Sequence, residues 1–210
     1  MLYLTGCIPA KPELQQQLLD NNIGALLTPF SQRSAPSADW PWAADNGCFA
    51  ERWNEKTWQT WLETKQNPQS ALFATVPDVV GDHTGTRKRW DEYAPTVIKA
   101  GYKPAFVLQD GVIINEIPFD TMGALFIGGT TEFKLSHTAR EIVAMCKEQN
   151  IWVHMGRVNS LRRMELAMSW GCDSVDGTYL AFGPDVNTPK LIKMVSFVHQ
   201  PKLFDGVYGG

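Results

Sequence analysis

The feature that most constrains this chain is a rhythm: a short apolar run, a polar or glycine-bearing turn, then a longer stretch with helical spacing, repeated from one end to the other. The apolar runs stand at Leu2–Leu4, Ile23–Leu27, Trp42–Ala44, Ala71–Val76, Ala105–Leu108, Ala124–Ile127, Ile151–Val153 and, more weakly, Asp173–Val175. Between them the spacing predicts helices over Pro12–Asp20, Trp53–Lys65, Thr86–Ala100, Ser136–Gln149 and Ser160–Trp170, with Gly171 placed as a C-terminal cap. Strands that alternate with helices lie parallel, because a parallel neighbour can be reached only by a crossover. Eight such units in 210 residues predict a compact (β/α)8 barrel of the TIM type, one domain over residues 1–210. An open, doubly wound sheet accounts for the same alternation and stays open as the alternative. The Ser- and Pro-rich stretch from Ser31 to Pro41 reads as a loop.

Composition enters mainly by exclusion. With 44% hydrophobic and 20% charged residues the chain can bury a sizeable core, which argues against wholesale disorder. No apolar run approaches the roughly 20 residues that cross a bilayer, and the N-terminus lacks the pattern of a secretory signal. The expectation is a cytoplasmic protein without a membrane partner. Cys7, Cys48, Cys146 and Cys172 form no CxxC pair, and His83, His137, His154 and His199 show no HxH or HExxH spacing. Neither a disulfide framework, a metal centre nor a cofactor is therefore expected. The net charge of −3 does not advertise a polyanion partner. Two local basic clusters, Arg87-Lys88-Arg89 and Arg157 with Arg162 and Arg163, read either as phosphate contacts or as solvated helix faces.

Chemistry-bearing residues follow the apolar runs with regularity. Asp45-Asn46-Gly47 follows the third, Pro77-Asp78 the fourth, Gln109-Asp110-Gly111 the fifth and Gly128-Gly129-Thr130-Thr131 the sixth. His154-Met155-Gly156-Arg157 and Asp176-Gly177 follow the last two. In a parallel barrel all strand C-termini open on one mouth, so these groups would converge there. Carboxylates, an amide and glycine N–H groups around one pocket suit a polar planar ligand and offer acid–base and nucleophilic chemistry. Any one of them taken alone reads equally well as a strand terminator. His154 reads as a hydrogen-bonded wall residue and Asp173 as structural. Trp40 and Trp42 flank a loop and would stack a base if exposed.

The ordered segments ADNGCF (44–49), FATVPDVV (73–80), FVLQDG (106–111), FIGGTTE (126–132) and HMGRVNSLRRMELAMSWGCDSVDG (154–177) resemble the queuine and archaeosine tRNA-guanine transglycosylase superfamily, which adopts a β/α barrel. The resemblance implies that Asp176 is the nucleophile that forms a covalent glycosyl intermediate and that Asp45 is its acid–base partner. It implies base contacts from Asp78, Gln109, Gly128, Gly129 and Met155, and no metal in the active site.

Two departures shape the expected substrate. The family's C-terminal CxCxxC zinc subdomain is absent, and GTYLAFGPDVNT (177–188) replaces the basic segment associated with anticodon-loop recognition. The chain is closer in style to short phage-type relatives that insert 7-deazaguanines such as preQ0 into DNA. The expected partners are therefore DNA, or tRNA as the alternative, a guanine or 7-deazaguanine base and accessory modification proteins; the location would be host cytoplasm if the gene is phage-borne. Two other readings remain: a metal-assisted barrel hydrolase using Asp78, Asp82 and His83, and a non-catalytic partner subunit.

Overall fold

The computed structural model describes residues 1–31, 40–51, 53–64 and 67–200. Within them eight parallel strands close into a barrel in chain order, the first hydrogen-bonded to the last. The strands are β1 (Leu2–Thr5), β2 (Ile23–Leu27), β3 (Trp42–Ala44), β4 (Ala71–Thr75), β5 (Pro104–Leu108), β6 (Ala124–Ile127), β7 (Trp152–Met155) and β8 (Ser174–Gly177). The helices are α1 (Pro12–Asp20), α2 (Glu55–Thr64), α3 (His83–Lys99), the short α4 (Thr131–Lys134), α5 (His137–Glu148), α6 (Leu161–Ser169) and α7 (Pro184–His199). The closed barrel, rather than the open sheet, is the fold.

Both faces of these strands are buried, which is why they read as nearly continuous apolar runs and not as an alternation. Inward residues form a small cluster in which Leu4, Leu26 and Phe73 meet the short side chains of Ala43, Ala105 and Ala124. The outward residues, among them Tyr3, Ile23, Trp42, Phe106, Leu125, Val153 and Val175, pack with the helices in the larger core. Filling is tight at β2: a Cβ on Gly24 would run into the Pro41 carbonyl oxygen and stand 2.8 Å from Leu4 Cδ2. Gly24→Ala is accordingly expected to destabilise the barrel by about 1–3 kcal/mol. An unchanged chemical-denaturation midpoint would contradict that packing.

Several elements differ from expectation for identifiable reasons. Helix α3 begins at His83 and not Thr86, because the Asp82 carboxylate caps it by accepting from the Gly85 N–H at 3.1 Å. Helix α7 was not anticipated; Pro184 stands in its first turn, where proline is tolerated, and Leu191, Val195 and Val198 form its buried face. Strand β7 runs to Met155 and β8 to Gly177, so His154, Met155 and Asp176 lie within strands, not beyond them. Trp40 and Trp42 are each only 2% exposed. Trp42 donates its indole N–H to Ser70 Oγ at 2.9 Å and meets Tyr102 edge-on, so the proposed base-stacking pair is core structure instead. Most of the predicted Ser31–Pro41 loop, residues 32–39, lies outside the described residues.

Candidate active site

At the C-terminal mouth of the barrel, Asp45, Asp78, Gln109, Gly128, Gly129, Arg157 and Asp176 line one cavity of about 190 Å³. Residues that the sequence separates by some 130 positions therefore share a wall. Asn46, Phe49, Phe126 and Thr178 complete the part of the lining that matters to its chemistry.

Asp176 projects from β8 toward the barrel interior, and three nitrogens hold it. Its Oδ2 lies 2.9 Å from His154 Nε2, and its Oδ1 accepts from the Arg157 backbone N–H at 3.2 Å. Its main-chain carbonyl accepts from the Val158 N–H at 2.5 Å. Arg157 adopts the left-handed region, with φ of 59°, which is costly for a residue with a side chain. That turn aims two successive N–H groups at Asp176, so the strain falls at the point where a carboxylate is held.

Asp78 sits at the end of β4, nearly buried. Its Oδ1 accepts from Asn46 Nδ2 at 2.9 Å and its Oδ2 from Gln109 Nε2 at 2.7 Å, while its carbonyl accepts from the Arg89 guanidinium at 2.5 Å. Gln109 is oriented in turn by the Gly81 N–H, which donates to its Oε1 at 2.9 Å. Burial raises the Asp78 carboxyl above the usual carboxylate range, opposed by the hydrogen bonds from Asn46 and Gln109 and by Arg89. Asp45, at the end of β3, is pushed up to about 7 by burial first, and then by the negative charges of Asp78 and Asp176. Thr75 donates its hydroxyl to Asp45 Oδ1 at 3.3 Å. A carboxyl with a value near 7 is suited to give and take a proton at neutral pH.

The two glycines after β6 differ in role. Gly128 donates its N–H to the Leu108 carbonyl and contributes space, since a Cβ there would stand 2.9 Å from Val107 and 3.0 Å from Gln109. Gly129, with φ of 72°, has a carbonyl that accepts from the Arg157 guanidinium. That guanidinium also lies 4.3 Å over the Phe49 ring. Around the mouth, Phe49 is 60% exposed and Phe182 82% exposed, with Phe30 and Val80 also open to solvent.

Some expected site residues lie elsewhere. Met155 is buried in the core between barrel and helices, because strand parity turns His154 inward and its neighbour outward; it does not line the cavity. The residues of the two basic clusters have different surroundings. Arg87 pairs with Asp91, Lys88 is exposed, and Arg89 folds inward over Trp53 to hold Asp78. Of the second cluster only Arg157 lines the cavity, whereas Arg162 and Arg163 belong to α6. The metal grouping of Asp78, Asp82 and His83 does not assemble. Asp82 caps α3, His83 is buried against Phe106 and 3.3 Å from Glu116, and no three His, Cys, Asp or Glu among the described residues could hold a metal ion. Asp173 lies before β8, where it accepts from Lys147 Nζ at 2.7 Å and from the Val153 N–H at 2.7 Å. Phe49, the hydrogen bond from Asn46 to Asp78 and the depth of His154 within the site were not anticipated.

No protein-family model and no curated protein matches this chain. Solved structures do. Tryptophan synthase from M. tuberculosis, in an aminoacrylate- and BRD0059-bound form, is similar with a TM-score of 0.59 at 13% identity, covering 93% of this chain and 88% of that one. The tryptophan synthase a2b2 complex of Pyrococcus furiosus gives a TM-score of 0.56 at 14% identity, covering 93% and 95%. A structure described as native KDPGal gives 0.54 at 12%, covering 94% and 92%. At such identities the likeness shows the barrel fold, and the chemistry has to be argued from the residues.

Proposed function

We propose that this protein is a guanine transglycosylase that exchanges guanine in nucleic acid, DNA in preference to tRNA, for a 7-deazaguanine base. The observation that carries the reading is the meeting of Asp45, Asp78 and Asp176 around one small cavity. Its roughly 190 Å³ falls below the range of about 300–1,000 Å³ common for drug-sized ligands, which suits a single base and not a whole nucleotide.

In this reading an Asp176 oxygen attacks C1′ of the target nucleoside as the C1′–N9 bond breaks. The bond's electron pair leaves with guanine, and Asp45 in its protonated form supplies the proton. The product is an Asp176–C1′ ester, formed through a transition state with oxocarbenium character that a carboxylate stabilises. The 7-deazaguanine then enters, Asp45 removes its N9 proton, and N9 attacks C1′ to release Asp176. Asp78 would accept from N–H groups on the base edge, and the second hydrogen of Gln109 Nε2 would donate to the base carbonyl. A base reaches such a cavity only outside its stack, so single-stranded or flipped substrates are expected. The exposed Phe49 and Phe182 would then stack neighbouring bases. The preference for DNA rests on GTYLAFGPDVNT (177–188), which stands where the resembled family has its basic segment.

Incubation of the purified protein with labelled guanine and single-stranded DNA, duplex DNA or tRNA tests this reading. Incorporation into DNA is expected. Incorporation into tRNA alone would reverse the substrate preference, and none into any of the three, with folded protein, would overturn the reading. Guanine binding without incorporation would favour a non-catalytic partner subunit.

A further inference from the structure

Beneath the cavity a chain of polar groups runs across β7 and β8 inside the barrel. Trp152 and His154 on β7 face Ser174 and Asp176 on β8, with His154 and Ser174 in register. The Trp152 indole N–H donates to Ser174 Oγ at 3.0 Å. The same Oγ lies 2.8 Å from His154 Nδ1, and His154 Nε2 lies 2.9 Å from Asp176 Oδ2. His154 and Ser174 are completely buried, and the imidazole is fixed between Phe126, at 4.5 Å, and Phe73, at 5.4 Å.

We propose that His154 is a positioning residue for Asp176, locked by Ser174 and Trp152 into the neutral tautomer that carries its proton on Nε2. The inference rests on the reading of Asp176 as nucleophile and deepens it. The protons along the chain can be placed in one way only. An indole nitrogen can only donate, so Ser174 Oγ accepts from Trp152 and has one proton of its own to place. If that proton goes to His154 Nδ1, the imidazole bears its hydrogen on Nε2 and donates it to Asp176, and every group is satisfied. A doubly protonated imidazole would instead present a second N–H to the same Oγ, and the serine proton would have no acceptor among these groups. An unsatisfied buried donor is costly, so the neutral form is selected.

The consequence is mechanical. Asp176 has one N–H donor on each oxygen, His154 on Oδ2 and the Arg157 backbone on Oδ1. Whichever oxygen bonds to C1′, the other keeps a donor in the ester, so the carboxyl plane is held through both half-reactions without a proton moving along the chain. His154 thus acts through Asp176 and touches no substrate.

Two measurements test this. Selective ¹⁵N-histidine NMR of the wild-type protein at neutral pH should show His154 neutral and protonated on Nε2. Protonation on Nδ1, or on both nitrogens, would overturn the lock, and this readout needs no activity. In the base-exchange assay, His154→Phe keeps a ring between Phe126 and Phe73 and removes the donor. Its kcat should fall about 10- to 100-fold, the factor carried by one hydrogen bond to a charged group, with KM for guanine unchanged. His154→Gln, which retains an N–H, should recover part of the loss. Ser174→Ala, which keeps the imidazole but removes the lock and the acceptor of the Trp152 indole N–H, should abolish the single-tautomer signature and lower kcat, and it decides the matter if the Phe variant does not fold. Wild-type kcat in the folded His154→Phe or Ser174→Ala protein would sink the positioning role. An inactive wild type with the expected tautomer would instead sink the transglycosylase reading.

Discussion

Asp176→Asn is expected to abolish base exchange and to leave no denaturation-resistant adduct between protein and nucleic acid. The loss should be about 10⁴-fold or more, the scale on which removal of a covalent nucleophile acts. The fold should survive. An asparagine carbonyl can still accept from His154, and the mismatch is confined to the amide NH₂ that would meet the Arg157 N–H, a cost of about 1–2 kcal/mol. The substitution also removes one of the negative charges that raise Asp45, so the Asp45 midpoint should move down toward the ordinary carboxylate range. Gel analysis of denatured reaction mixtures checks the adduct, and carboxyl-labelled NMR checks the midpoint. A persistent adduct in Asp176→Asn would remove this residue from the chemistry.

Asp45→Asn should separate stability from activity. The Asp45 carboxyl titrates near 7 in the folded protein and near 4 when the chain is unfolded. Between those values the native state binds the extra proton, so folding stability attributable to Asp45 falls as pH rises through this window and levels off above it. The neutral asparagine lacks that liability. Asp45→Asn should therefore melt at a higher temperature than wild type at pH 8, with the advantage gone at pH 4, where both side chains are neutral. Its base exchange should fall about 10²- to 10⁴-fold, the usual contribution of a general acid–base group. A melting difference that did not shrink on acidification would show that Asp45 is not held at a raised value.

The sequence carried the barrel because its strands are buried on both faces, which leaves a compact apolar run followed by a polar terminus. Asp45, Asp78, Gln109 and Asp176 were legible for that reason: each ends or nearly ends such a run. Met155 was misplaced by one residue of parity. A strand extending through Met155 turns His154 inward and Met155 toward the helices, and an apolar run broken by histidine gives no hint of where it stops. Asn46 reads as a turn residue in sequence and becomes a ligand of Asp78 only when β3 and β4 lie side by side. Helix α7 escaped notice because Pro184, Asn187 and Pro189 have low helix propensity, although its buried face repeats at Leu191, Val195 and Val198. The inward turn of Arg89 depends on Trp53 and Asp78, far off in sequence, so its neighbours Arg87 and Lys88 suggested a surface patch.

The seam between β1 and β8 has a consequence for the order in which competence arises. Leu4 is registered against Asp176, so the second edge of the opening strand is paired only by one made just over 170 residues later. A growing chain holds Asp45 and Asp78 long before their third carboxylate exists. In the proposed mechanism such a half-made wall lacks the oxygen that would bond to C1′. Long-range pairings of this kind also form slowly. On that reading, closing the β1–β8 seam also completes the catalytic set.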